Sequence, residues 1–135
     1  MLLNRPTLYL IRGVCGSGKS TFARQLYSGG LVADVFEADQ WFEHNNNNTF
    51  DPTKLHQAHK ACQQWAKMLL QSGESVAVSN TSTTEKEVQT YFEIATELNA
   101  NFVSVVVESR HNGKNIHNVS DEKIKQMRER FSIKL

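Results

Sequence analysis

The sequence predicts an α/β fold: a small parallel sheet of about four strands, covered by helices on both faces, in three layers. Three observations carry that expectation. Four short β-prone runs recur along the chain, Thr7–Ile11, Val32–Glu37, Ser75–Ser79 and Phe102–Val107. Segments of helical periodicity separate them, the alternation that yields parallel strands joined by right-handed crossovers. Finally, a glycine-rich loop stands between the first strand and the first helix, where such folds bind ligands.

The first run, Thr7-Leu8-Tyr9-Leu10-Ile11, has the apolar continuity of a buried parallel strand. It leads into Gly13-Val14-Cys15-Gly16-Ser17-Gly18-Lys19-Ser20, which fits G-x-x-x-x-G-K-[ST], the pattern of a loop that wraps nucleotide phosphates. Glycines let the backbone curl so that successive N–H groups point at anionic oxygens. The following helix adds its unpaired N-terminal donors and the positive end of its dipole. Lys19 supplies a point charge for the β- and γ-phosphates, and the Ser20 hydroxyl is placed to ligate Mg²⁺. The expected nucleotide-binding set is Gly13, Cys15, Gly16, Ser17, Gly18, Lys19, Ser20 and Thr21. The helix runs from Ser20 to Tyr27, turns Phe22, Ala23 and Leu26 inward, and stops at Gly29-Gly30.

The second run, Val32 to Glu37, ends at Ala38-Asp39. Ligands of open parallel sheets sit at the carboxyl ends of the strands, so Asp39 is expected on the rim that carries the phosphate loop. There it would accept a proton from an attacking hydroxyl or hold a metal-bound water. The same carboxylate also reads as the N-cap of a short helix through Trp41-Phe42-Glu43. Asn45 to Asn48, four asparagines in a row, favours turns and predicts an exposed loop.

Asp51-Pro52 opens the next helix with a capping carboxylate and a proline whose missing N–H does no harm. Leu55, Ala58, Cys62, Trp65, Ala66 and Leu69 recur at helical spacing, and Gly73 ends the run. His56 and His59 lie three apart on it, but no third ligand stands at a metal-binding spacing. Ser75 to Ser79 reads as a buried strand opening onto Asn80-Thr81-Ser82, which either bond water and phosphate or form a polar turn. Thr84 and Glu87 make a capping box ahead of an apolar stripe of Val88, Tyr91, Ala95 and Leu98. Phe102 to Val107 is apolar enough to be a central or fully covered strand. A polar loop with Arg110, Lys114 and His117 follows, and Ser120 caps a last helix whose Ile124, Met127 and Phe131 face inward.

At 135 residues, 1–135 form a single domain. A net charge of +1 argues neither for a protein that wraps a polyanion nor for an acidic tail, yet the charge is uneven. Residues 110–135 carry seven Lys/Arg against three carboxylates, net +4, which leaves −3 on residues 1–109. Cys15 and Cys62 form no metal or redox spacing, which suits a reducing cytosol. No apolar run approaches membrane-spanning length, so a soluble, cytoplasmic protein is expected.

The assembly of Gly13–Ser20, Phe36-Glu37-Ala38-Asp39, Ser79-Asn80-Thr81-Ser82 and Asn115-Ile116-His117-Asn118-Val119-Ser120 resembles the polynucleotide-kinase-like branch of the P-loop kinases. It is similar above all to the short ATP-binding, kinase-like proteins of tailed phages, for which the compartment would be the host cytoplasm. The resemblance spans nearly the whole chain and implies a three-layer P-loop NTPase fold with ATP and Mg²⁺ as cofactors. It also implies Asp39 as general base for an acceptor 5′-hydroxyl, with Arg110 and Lys114 left to stabilise charge on the transferred phosphoryl group. Where that family has an arginine after the aspartate, this chain has Trp41, Phe42 and Glu43, and the family's Asp-Thr-Asn after the third strand stands here as Asn80-Thr81-Ser82.

The leading functional expectation is an ATP/Mg²⁺-dependent phosphotransferase moving the γ-phosphate to a hydroxyl, first a nucleic-acid 5′ end. Its catalytic set is Lys19, Asp39, Arg110 and Lys114, with Ser20 at the metal. The alternatives are a kinase for a nucleoside or other small hydroxyl compound, and a catalytically weak, ATP-binding regulatory module of a phage.

Overall fold

In the computed structural model the described residues are 5–14, 16–81, 84–108, 122, 123, 125 and 126. Cys15, Ser82, Arg110, Lys114, His117, the Asn115–Ser120 motif and the apolar face of the last helix lie outside them. Four strands form one parallel sheet: β1 (Thr7–Arg12), β2 (Asp34–Phe36), β3 (Val76–Asn80) and β4 (Asn101–Val106). Their order is β2-β3-β1-β4, and every pairing is parallel. The helices are α1 (Lys19–Ser28), α2 (Ala38–Asn45), α3 (Leu55–Gln71, entered through a 3₁₀ turn Pro52–Lys54) and α4 (Glu85–Glu97).

The strand alternation sorts the core into layers. Leu8 and Leu10 of β1 and Val76 and Val78 of β3 face Ala66 and Leu70 of α3 and Tyr91, Ile94 and Ala95 of α4. Ile11 and Ala77 face the other way, onto Ala23 of α1, with Phe22 and Leu26 beside it. Each fully buried leucine or valine in these layers contributes roughly 1.5–3 kcal/mol. A third cluster joins α2 to α3 through Ala38, Phe42, Ala58 and Cys62.

Two expectations shift. Phe102–Val107 is the run apolar enough to be central or fully covered, yet β4 is one of the two edge strands of the four and Val103 is 38% exposed. The central pair is β1 and β3, and every residue of β3 is buried. Apolarity of a run settles neither its place in the order nor how fully it is covered: β4 is half-buried, and β3, with its polar Ser79 and Asn80, is buried throughout. The helix after β2 also starts earlier than Trp41: it begins at Ala38, with Glu37 as N-cap in a reciprocal capping box with Gln40. Asp39 is therefore not a cap but the second residue of the first turn, where a carboxylate meets the positive helix end. The Asn45–Asn48 tract closes α2: Asn47 and Asn48 take positive φ (52° and 61°), and Asn46 Nδ2 donates to Thr49 O at 2.6 Å.

Candidate functional site

All four strands point their carboxyl ends at one rim, and the loop after β1 lies on it. Gly16 and Gly18 hold φ of 79° and 95°, a region open to glycine at little cost. Gly13 is required for space: a Cβ there would overlap Ser17 Oγ and come within 2.8 Å of the Val107 carbonyl oxygen. The loop is pinned to its neighbours by Gly13 N donating to Thr81 O (3.4 Å) and Ser17 N to Val14 O (3.1 Å).

Helix α1 then starts with no side-chain cap, because its N-cap is Gly18, and with no acid in its first turn. Helix starts normally satisfy their orphan N–H groups with a capping oxygen. Here that role is open to an external anion, with Lys19 as first helical residue and Ser20 and Thr21 following. Lys19 and Ser20 are half-buried and Thr21 is exposed. These features fit a nucleotide triphosphate, and the Ser20 hydroxyl in that turn is of the type that joins a Mg²⁺ shell.

Across the rim, β2 ends at Phe36 and the chain turns through Glu37 into α2, which places exposed Asp39 beyond it. β2 and β1 are separated by β3 alone, a lateral span of about 10 Å at ordinary strand spacing. Loop and carboxylate thus lie on the same rim, after strands two places apart in the sheet.

Between loop and carboxylate the sheet surface is polar, a feature the sequence did not announce. Register pairs Arg12 with Asn80, and both side chains lie on the α3/α4 face, 1% and 7% exposed. Burial lowers the Arg12 pKa, with Glu87 of α4 opposing. Asn80 Oδ1 accepts from Ala38 N at 2.9 Å, a buried bond that spans 42 residues. Its amide also bears on Cys62 of α3 and Tyr91 of α4. Burial pushes the Cys62 thiol up to about 12 and raises the Tyr91 phenol, and in both the Asn80 amide pulls the other way. Neither contact reaches hydrogen-bond geometry, so Asn80 Nδ2 and the Tyr91 hydroxyl stay unsatisfied among the described residues. Asn80 is the last residue of β3 and not part of the turn, and its Oδ1 is taken up by α2. Its signal in the sequence was only a polar residue at the end of an apolar strand.

Half-buried His59 of α3 lies near the same edge. Burial lowers its pKa, Glu87 and Asp39 raise it, and His56 lowers it. Among the described residues no group of three or more His, Cys, Asp or Glu could hold a metal ion, and no helix is long and apolar enough to cross a membrane.

The chain is similar to known proteins in both sequence and shape. NEDD4-binding protein 2 of Homo sapiens is 30% identical over 132 residues; the match takes in 92% of this chain and only 8% of that protein. The structure of the Pnkp1/Rnl/Hen1 RNA repair complex contains a chain that superposes with a TM-score of 0.70 at 21% identity, covering 97% of this chain and 48% of that one. The APS kinase CysC of Mycobacterium tuberculosis superposes with a TM-score of 0.63 at 18% identity, over 95% of this chain and 98% of that one. A second structure of that kinase, in complex with AMPPNP and APS, gives 0.61 at 22% identity over 78% and 64%. At these identities the structural likenesses establish the fold, a four-stranded parallel α/β sheet of P-loop kinase type. The sequence pattern of an AAA domain family, AAA_33, matches residues 8–133, and the chain belongs to that family.

Proposed function

We propose that this P-loop kinase-like domain, read as a single unit over residues 1–135, is an ATP/Mg²⁺-dependent phosphotransferase acting on a hydroxyl acceptor. One observation carries the reading. An uncapped helix start behind two left-handed glycines shares a sheet rim with Asp39, and β3 alone lies between their strands. The APS kinase complex with AMPPNP, an ATP analogue, supports the choice of nucleotide.

In this mechanism the loop from Gly13 to Gly18, Cys15 included, and the first turn of α1 hold the triphosphate through backbone N–H groups. Lys19 places its ammonium against the β- and γ-phosphates, and the Ser20 hydroxyl holds Mg²⁺. When bound, the metal supplies further neutralisation of phosphate charge. Asp39 takes the acceptor proton as the oxygen bonds to the γ-phosphorus; the bond from that phosphorus to the β–γ bridging oxygen breaks, and ADP leaves with the electron pair. Arg110 and Lys114 complete the charge balance on the moving phosphoryl group.

The acceptor is first a nucleic-acid 5′-hydroxyl, a choice that the Pnkp1-containing RNA repair structure supports. A nucleoside or other small hydroxyl compound is the second reading, and one observation favours it. After Asp39 come Trp41 and Phe42, packed edge-on at 5.1 Å, and exposed Glu43, so this turn offers no cation to an acceptor phosphate.

The test is γ-phosphate transfer from labelled ATP, screened over 5′-hydroxyl DNA, 5′-hydroxyl RNA and nucleosides, with Lys19→Ala as blank. Label arriving on one acceptor class, dependent on Mg²⁺ and absent with the blank, is the expected result. Tight ATP binding with no transfer to any acceptor would leave a nucleotide-dependent regulatory module, and the kinase reading would fall.

A further inference from the structure

We infer that Asn80 is a positioning residue for the acceptor side, holding Asp39 in place through the backbone of α2. The inference rests on the phosphotransferase reading for its catalytic meaning, and on geometry for the rest. Asn80 ends the fully buried central strand β3, and its Oδ1 accepts the Ala38 N–H at 2.9 Å. Ala38 is the first residue of α2 and Asp39 the second. The bond therefore fixes the helix one residue from the carboxylate that has to meet the acceptor.

The capping box of Glu37 and Gln40 secures the turn to itself, and Gln40 Nε2 donates to Val35 O of the edge strand β2 (3.3 Å), the strand that feeds the helix. Ala38 and Phe42 pack α2 against Ala58 and Cys62 of α3. The Asn80 bond is directional and joins α2 to β3, the strand next to the one that feeds the phosphate loop. Its amide lies among α2, α3 and α4 at once, through Ala38, Cys62 and Tyr91. One buried side chain thus ties the start of α2 to the central strand at the acceptor edge. A transferase needs that, because misplacing a reacting group by about 1 Å can cost 10²-fold in rate.

The experiment compares wild type, Asn80→Leu and Asn80→Asp in the full chain by three readouts: AMPPNP affinity, transfer kcat on the best acceptor, and amide hydrogen exchange. Leucine is close in size and accepts no hydrogen bond; aspartate keeps an accepting oxygen beside Arg12, already the register neighbour of position 80. Asn80→Leu is expected to keep AMPPNP affinity within about threefold, to lose roughly 10- to 100-fold in kcat, and to exchange the Ala38–Gln40 amides about tenfold faster. Asn80→Asp is expected to restore protection there and to bring kcat within about threefold of wild type.

Wild-type kcat and unchanged exchange in Asn80→Leu would overturn the inference. So would a parallel loss of AMPPNP affinity, kcat and protection throughout β1 and β3 that Asn80→Asp shares, since that marks a purely structural side chain. Should Asn80→Leu not fold, Asn80→Asp decides alone: α2 protection kept with kcat lost overturns it, and both kept supports it. If wild type transfers phosphate to nothing, the functional reading fails, while the exchange data still judge whether Asn80 holds α2.

Discussion

The two sides of the rim are built by different means. The phosphate side is made almost wholly of backbone: two left-handed glycines, a third glycine that leaves no room for a Cβ, and a helix start without a capping side chain. The acceptor side is made of side chains brought together over long sequence distances, Asn80 with Ala38, and Cys62 and Tyr91 around the same amide. A backbone device is specified locally and tolerates variation around it. A side-chain device needs several elements to be right at once, so it can be retuned one residue at a time.

The comparison breaks most visibly at Lys19. Lys19→Ala removes the formal charge carried by the loop and the first turn of α1, residues 13–21, and transfer is expected to fall by about 10³-fold or more with weaker nucleotide binding. Asp39→Asn is the matching change opposite. It is expected to leave AMPPNP affinity within about twofold and to slow transfer by roughly 10²- to 10⁴-fold. Equal damage to affinity and rate from both would show that the sides are not separate, and an unchanged rate in Asp39→Asn would remove the base assignment.

Gly13→Ala sharpens the same division from the steric side. Ser17 Oγ can rotate out of the way, but the Val107 carbonyl is backbone at the end of β4 and cannot. The loop must shift instead, which is expected to cost about 1–3 kcal/mol of stability and to weaken nucleotide binding. Thermal denaturation with and without AMPPNP measures both. An alanine that left both intact would show that the cradle has slack.

The same division explains what could be read from the sequence. Strand, loop and helix on the phosphate side follow one another within residues 7–28, and each announces itself by residue type: β-prone run, glycines at fixed offsets, lysine at the helix start. The capping box of Thr84 and Glu87 was equally local, and the structure contains it. Asp39 could be placed on the rim because parallel strands end together. What Asn80 does could not be seen, because its partner lies 42 residues earlier and is a backbone N–H, which every residue but proline possesses. Arg12 was hidden for a related reason: it follows Ile11 in a strand whose side chains alternate, and only the register with β3 shows that it shares the Asn80 face. Glu37 took the cap expected of Asp39, since the strand ended one residue sooner than its apolar pattern suggested.

The smallest expected effect tests whether the acceptor edge is electrostatically coupled. His59 sits half-buried in α3, and its charged form is disfavoured by burial more than it is favoured by Glu87 and Asp39, with His56 adding a small opposing push. Its folded pKa therefore lies below the ordinary value of 6.5. The unfolded chain then takes up a proton at a pH where the folded one does not, so stability is complete above 6.5 and falls as the pH drops, until His59 is protonated in the fold as well. His59→Gln is expected to flatten the decline of the denaturation midpoint as the pH falls below about 6.5 relative to wild type. Adding Asp39→Asn removes one group that favours the imidazolium, so it should steepen the wild-type decline and leave the His59→Gln profile unmoved. Parallel profiles in all four proteins would mean that Asp39 and His59 do not sense each other, and that the acceptor edge is a set of neighbours, not a coupled unit.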